Sequence, residues 1–254
     1  MGKQPETFII YGANSAIGSE LAKNILPEVN TLVLFYNDKT DKISDLLKNN
    51  KVISFKSDIR DYDNLLDQIT YLSKSNHIGA VYLPTIRSYD HKPLYETSLY
   101  LTKEIIDVNL VGAIHFLKAM LNYSNQRTNE TLDELSMRIV LIGSNVTRTG
   151  LKNGSVYSAT KAAMANLARS VAMEVGINNT LINVISPGPV IAENQTFKGD
   201  YSEFRKQYFE TQKGLTSLNR LAEINDVCLM IKYLTSLENK HLTGEEIFLT
   251  GGVL

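Results

Sequence analysis

The sequence predicts a single α/β domain: a doubly wound parallel sheet of about seven strands with helices on both faces. Three observations lead there. Short apolar runs alternate with longer stretches of helical spacing. The apolar runs are nearly continuous, as burial on both faces requires. The 254 residues are enough for one large core, and no repeat or Pro/Gly/Ser-rich linker divides them.

The elements follow in order. "TFIIYG" (7 to 12) is the first strand, and the glycine turn after it leads into the helical "AIGSELAKNIL". "TLVLFY" (31 to 36) and "KVISFKSD" (51 to 58) are the next strands, followed by the helical "YDNLLDQITYLSK". "GAVYLP" (79 to 84) precedes the long helical stretch "KEIIDVNLVGAIHFLKAML". "MRIVLIGS" (137 to 144), the helical "ATKAAMANLARSVAMEV", "TLINVISPG" (180 to 188) and "EEIFLTGG" (245 to 252) complete the alternation. Right-handed crossovers turn this pattern into a Rossmann-type sheet. Residues 190–223 are polar with scattered aromatics, among them Tyr201, Phe204, Tyr208 and Phe209; they are expected to form a flexible substrate-binding flap within the 1–254 domain.

Composition narrows the function classes. Lys+Arg 26 against Asp+Glu 27 leaves a net charge of -1 without a basic stripe, which argues against nucleic acid or an anionic membrane surface as partner. A single cysteine, Cys228, allows no intrachain disulfide and suits a reducing compartment. The apolar runs are too short for a signal peptide or a membrane span, so a cytoplasmic protein is expected. His77, His91, His115 and His241 are scattered without ligand spacing, and no metal site is expected.

Two stretches carry chemistry. In "FIIYGANSAIGSELA", Gly12 and Gly18 bracket Asn14, Ser15, Ala16 and Ile17 between a strand and a helix. Small residues there let backbone N–H groups approach an anionic pyrophosphate at a helix N-terminus. In "YSATKAA", Tyr157 and Lys161 are four apart and share one helical face. An ammonium beside a phenol lowers its pKa from about 10 toward the range of a working acid/base. Ser144 ends a buried strand at the C-terminal edge of the sheet, where ligands bind in doubly wound folds.

Together these stretches resemble the short-chain dehydrogenase/reductase family, with an overall pattern similar to 3-oxoacyl-acyl-carrier-protein reductases. The serine precedes the tyrosine by 13 residues (157 − 144), close to the family's spacing. "SDIRD", "DVNLVG", "NVISPGPV", "NRLAEINDV" and "HLTGEEIFLTGG" match further family segments in order.

The resemblance implies that Tyr157 donates the proton, Ser144 orients the substrate oxygen, Lys161 tunes the tyrosine and binds the nicotinamide ribose, and Asn109 links the lysine to solvent through a water. It also implies a cofactor lying along Gly12 to Gly18, Asp58, Ile59, Leu83, Pro84, Pro187, Gly188 and Val190. Besides Tyr11, which stands where the family usually has threonine before its first glycine, two departures stand out: Ala16 replaces the middle glycine, and Leu83-Pro84-Thr85 falls where the family reads Asn-Asn-Ala-Gly. The expected activity is NAD(P)-dependent reduction of a ketone, with a 3-oxoacyl thioester as one substrate class. An alcohol or sugar dehydrogenase working oxidatively is the alternative enzyme, and the two departures motivate a catalytically silent cofactor-binding regulator as the competing class.

Tyr36 and Asn37 stand where an NAD-binding acid would be, and Lys39 lies within reach of a phosphate, so NADP(H) is expected over NAD(H). Asp38 would oppose this if it pointed inward. The two long helices around Asn109 and Lys161 are apolar over more than one face, and with the resemblance they imply a homodimer or homotetramer.

Overall fold

The computed structural model describes residues 3–72, 75–84, 92–125, 136–191 and 200–252. Strands β1 (Thr7–Tyr11), β2 (Thr31–Tyr36), β3 (Val52–Lys56), β4 (His77–Tyr82), β5 (Ser136–Ile142) and β6 (Thr180–Pro187) alternate with helices α1 (Ala16–Ile25), α2 (Tyr62–Thr70), α3 (Leu99–Ile106), α4 (Gly112–Asn125), α5 (Val146–Thr149) and α6 (Ser155–Val175). Then come β7 (Val190–Ile191), α7 (Asp200–Gly214), β8 (Ala222–Glu223), α8 (Ile224–Thr235) and β9 (Glu246–Leu249). Seven strands form one parallel sheet in the order β3-β2-β1-β4-β5-β6-β9, and β7 pairs with β8 apart from it.

The sequence pattern explains this sheet. Strands β1, β5 and β6 are buried along their whole length, as strands covered on both faces must be. One core layer packs Ile9, Val33, Ala80, Ile139 and Ile182 against Leu65, Phe116, Met164 and Ala168. The opposite layer packs Phe8, Ile10, Leu32, Leu34 and Val140 against Leu21, Ile25, Val227 and Ile231. Alternate residues of one strand therefore feed opposite layers.

Order reverses between β1 and β4, so the chain ends leaving β1, β2 and β4 diverge and a crevice opens above them. At this point Gly12 has φ +91, a backbone that L side chains rarely adopt. A Cβ on Gly12 would lie 2.5 Å from the Leu83 carbonyl oxygen, which makes the close approach of two chain segments depend on glycine.

Three regions differ from the sequence expectation. The stretch read as one helix over 103–121 is two helices joined by a widened π turn, Asp107–Val111. The Tyr82 hydroxyl donates to the Val108 carbonyl inside that turn, and Gly112 leaves room for it, since a Cβ there would lie 2.5 Å from the phenol oxygen.

Within the expected flap, residues 200–214 form helix α7, and Val190–Ile191 pairs with Ala222–Glu223. Residues 192–199 and the side chains of Tyr201 and Phe204 lie outside the description; the Tyr208 and Phe209 rings meet at a tilt, with centroids 5.8 Å apart.

The third difference is α8, a twelve-residue helix started by a reciprocal Glu223–Asp226 capping box, within the apolar run that holds the buried Cys228. Among the described residues no helix is long and apolar enough to cross a membrane.

A Gly112→Ala variant tests the packing at the π turn. Its methyl group would meet Tyr82 and Ile59 in a fully buried site, a conflict that costs about 1–3 kcal/mol. The thermal unfolding midpoint should fall by several degrees, measured by circular dichroism.

Candidate active site and cofactor cleft

Two clefts join at the C-terminal edge of the sheet. The first, about 500 Å³, runs past Tyr11, Gly12, Asn14, Ser15, Asn37, Lys39, Asp58, Ile59 and Arg60 to Leu83 and Pro84. The second, about 280 Å³, shares Ser15, Leu83 and Pro84 with it and continues along Ala16, Ile17, Ser144, Tyr157, Lys161, Pro187, Gly188 and Val190. The expected cofactor residues line this continuous groove with one exception. Gly18 is buried beneath the loop, where a Cβ would lie 2.3 Å from the Gly12 carbonyl oxygen. Its contribution is close packing, and its N–H donates to the Ser15 hydroxyl that caps α1.

The local sequence explains the glycine turn. Ser15 caps α1 as an extended residue, and Ala16 is already helical, so its methyl meets no left-handed backbone. The permissive position is Gly12. The N–H groups of Ala16 and Ile17 begin the helix and have no intrahelical acceptor. Asn14 turns away from the loop: its amide donates to Asp41 at 2.9 Å and its carbonyl accepts from the Lys42 N–H at 2.9 Å, tying the segment after β2 to the turn.

At the other end, Lys161 is only 2 % exposed and its Nζ donates to the Ile142 carbonyl at 2.7 Å. The same ammonium lies 5.6 Å from the centre of the Tyr157 ring. Tyr157 and Ser144 are half-buried and both line the second cleft. The strand end that carries Ser144 is anchored by Gly143 N–H to Ile185 and Asn145 N–H to Pro187. Ser158 bonds the Val146 carbonyl at 3.0 Å, which joins the serine loop to the tyrosine helix.

Asn109 does not line the groove. It is fully buried in the π turn, with its amide donating to Thr160 at 3.2 Å, and Thr160 in turn donates to the Tyr157 carbonyl at 2.8 Å. The Asn109 side-chain carbonyl oxygen is buried without a hydrogen-bond partner among the described residues, and buried polar atoms are seldom left unmatched.

Several lining residues have no counterpart in the sequence reading. Arg60 grips the Asp58 carboxylate and reaches Glu104 at 2.9 Å, and this guanidinium holds the Asp58 carboxyl below its usual range. Tyr11 and Tyr82 form part of the floor, with the Tyr11 hydroxyl donating to the Ser57 carbonyl at 2.9 Å. Burial raises both phenols well above their ordinary pKa, so both remain hydrogen-bond donors. These ties run through tertiary contacts, and no local spacing announces them. Thr85 and His91 lie outside the described residues. Asp38 also borders the first cleft; its side chain is 73 % exposed and pairs with Lys56 at 3.3 Å.

Residues 12–254 match the family model described as enoyl-(acyl carrier protein) reductase. The chain belongs to the short-chain dehydrogenase/reductase family. It is similar to the 3-oxoacyl-(acyl-carrier-protein) reductase of Buchnera aphidicola, 23 % identical over 98 % of this chain and 97 % of that one. It is also similar to the chloroplastic NADPH-dependent aldehyde reductase 2 of Arabidopsis thaliana, 24 % identical over 97 % of this chain and 93 % of that one.

Among solved structures, a short-chain dehydrogenase/reductase of Brucella melitensis shares the fold with a TM-score of 0.80 at 24 % identity, covering 100 % of this chain and 98 % of that one. A 3-oxoacyl-(acyl-carrier-protein) reductase from Agrobacterium tumefaciens, solved with NADP bound, has a TM-score of 0.80 at 20 % identity, covering 99 % of this chain and 95 % of that one.

As a member of this family the chain is an NAD(P)-dependent oxidoreductase. The groove suits such a nucleotide: an open helix N-terminus follows a glycine turn with no room for a Cβ, and the cleft extends from Asp58 to Lys161. A Gly12→Ala variant should raise the dissociation constant for a nicotinamide nucleotide more than tenfold, read by fluorescence titration, because the new methyl displaces Leu83 from the cleft wall.

Proposed function

We propose that this protein reduces a ketone to a secondary alcohol with NADPH, and that a 3-oxoacyl thioester is its substrate class. The observation that carries the chemical reading is the convergence of Ser144, Tyr157 and Lys161 on one cleft whose wall is Pro187, Gly188 and Val190. When bound along this groove, the dihydronicotinamide supplies the hydride to the carbonyl carbon and becomes oxidised. Tyr157 gives its proton to the carbonyl oxygen as the carbon–oxygen double bond opens. Ser144 holds that oxygen where negative charge develops. The ammonium of Lys161 stabilises the phenolate left on Tyr157, and its bond to the Ile142 carbonyl keeps it in place. Asn109, through Thr160, braces the helix turn that carries both residues. The thioester class is supported by full-length similarity to relatives named as 3-oxoacyl reductases.

NADPH is favoured over NADH by charge. Lys39 lines the adenosine end of the cleft and makes no ion pair among the described residues, while Asp38, which borders the same cleft, has its charge engaged by Lys56. We further infer that the chain assembles as a homodimer or homotetramer. Ile106 and Ile114, beside the π turn, are more than a third exposed, and Leu99 on α3 and Met173 on α6 are more than four-fifths exposed.

Each reading has its measurement. Tyr157→Phe should keep NADPH affinity within twofold while turnover of a ketone panel falls by roughly a hundredfold or more; retained turnover would remove Tyr157 from the proton step. Lys39→Ala should weaken NADPH and leave NADH unchanged. Light scattering at micromolar concentration should give a multiple of the 28.4 kDa chain mass.

A further inference from the structure

The segment that follows β2 approaches the glycine turn from outside. Asn14 holds it there through both ends of its amide, to the Asp41 carboxylate and the Lys42 N–H, and the fully buried Ile43 anchors the next residue in the core. The Lys42 backbone is therefore pinned although its side chain is exposed. That side chain lines the second cleft together with Ser15, Ala16 and Ile17. It also lines the neighbouring cavity bounded by Ala16, Ser19 and Glu20. Lys42 borders both cavities, and Ala16, the first residue of α1, borders both with it.

The adjacent Asp41 carboxylate feels the charges of Lys42 and Lys39 without forming an ion pair with either. Glu20 pairs with Lys23 at 3.6 Å, and the Asp41 carboxylate accepts from Asn14. Lys42 itself makes no ion pair among the described residues. Lys39 borders the other, adenosine-side cleft, so the two lysines reach different parts of the groove.

We propose that Lys42 is a phosphate-binding residue of the cofactor cleft: its ammonium closes over the pyrophosphate of the nicotinamide nucleotide at the first turn of α1, with Asn14 as the residue that positions it. The inference rests on the cofactor reading given above and adds a side-chain contact to the backbone donors of the glycine turn. An ammonium and a helix N-terminus acting on one dianion reinforce each other, because both present positive potential to the same oxygens. The division of labour follows from position. Lys42 meets the pyrophosphate, which NADPH and NADH share, whereas Lys39 meets the ribose 2′ position, which distinguishes them.

The test is a fluorescence titration of NADPH and NADH against the wild-type protein, Lys42→Ala, Lys42→Arg and Lys39→Ala, with 2′-AMP as a competitor that lacks the pyrophosphate. Lys42→Ala should weaken NADPH and NADH by the same factor, about tenfold at low salt, and leave 2′-AMP affinity unchanged. Lys42→Arg should recover most of the loss, and the difference between wild type and Lys42→Ala should shrink as salt is raised. Unchanged affinity of Lys42→Ala for both nucleotides overturns the proposal, as does a loss confined to NADPH, which would assign Lys42 to the 2′-phosphate. If the wild type binds neither nucleotide, the cofactor reading itself fails, and that outcome is distinct from the other two.

Discussion

The structure depends on one close approach between two chain segments, where Gly12 at the end of β1 meets Leu83 at the end of β4. These strands are neighbours in the sheet and diverge in topology, because the order reverses between them. The Leu83 N–H donates to the Tyr11 carbonyl at 2.9 Å, and the Leu83 carbonyl lies where any Gly12 side chain would have to be. The contact fixes the start of α1, and through α1 the open N–H groups of Ala16 and Ile17. It also aligns the two clefts into one groove, since Leu83 borders both.

Around this point aromatic side chains fill the layer beneath the cleft. Tyr11 stacks on Phe35 at 5.3 Å and Tyr82 on Phe116 at 5.5 Å, filling the layer beneath the adenosine end of the cleft. Each phenol then spends its proton on a backbone carbonyl, Tyr11 on Ser57 and Tyr82 on Val108. An apolar body with a polar tip suits a site that must be both packed and tied. The second tie has a wider consequence. Val108 sits in the π turn, so Tyr82 links the end of β4 to the turn that holds Asn109 against Thr160 and the tyrosine–lysine helix. The loss of Asn-Asn-Ala-Gly is thus accompanied by a different set of contacts across the same gap.

Electrostatics divides the groove. At its adenosine end Arg60 is shared between Asp58 and Glu104, which joins the floor of the cleft to α3. At its chemical end Lys161 is buried, with its ammonium on the Ile142 carbonyl and near the Tyr157 ring. Burial strengthens such an interaction by lowering the local dielectric constant. Lys39 borders the first cleft and Lys42 the second, and both are exposed.

The sequence by itself determined the alternating architecture, the order in which Gly12, Ser144, Tyr157 and Lys161 occur, and their gathering at one sheet edge. These are properties of period and spacing: nearly continuous apolar strands must be covered on both faces, and residues four apart on a helix must share a side. Tertiary structure alone decided that Ala16 is helical and unstrained, that Asp38 pairs with Lys56, and that a helix read as continuous opens into a π turn under Tyr82. It alone brought Arg60 to Glu104, 44 residues away in the chain, and Asn14 to Lys42, 28 residues away. Such contacts link side chains whose positions are set by the crossing of separate segments, and no local spacing encodes the distance between segments that meet only once the sheet has closed its order.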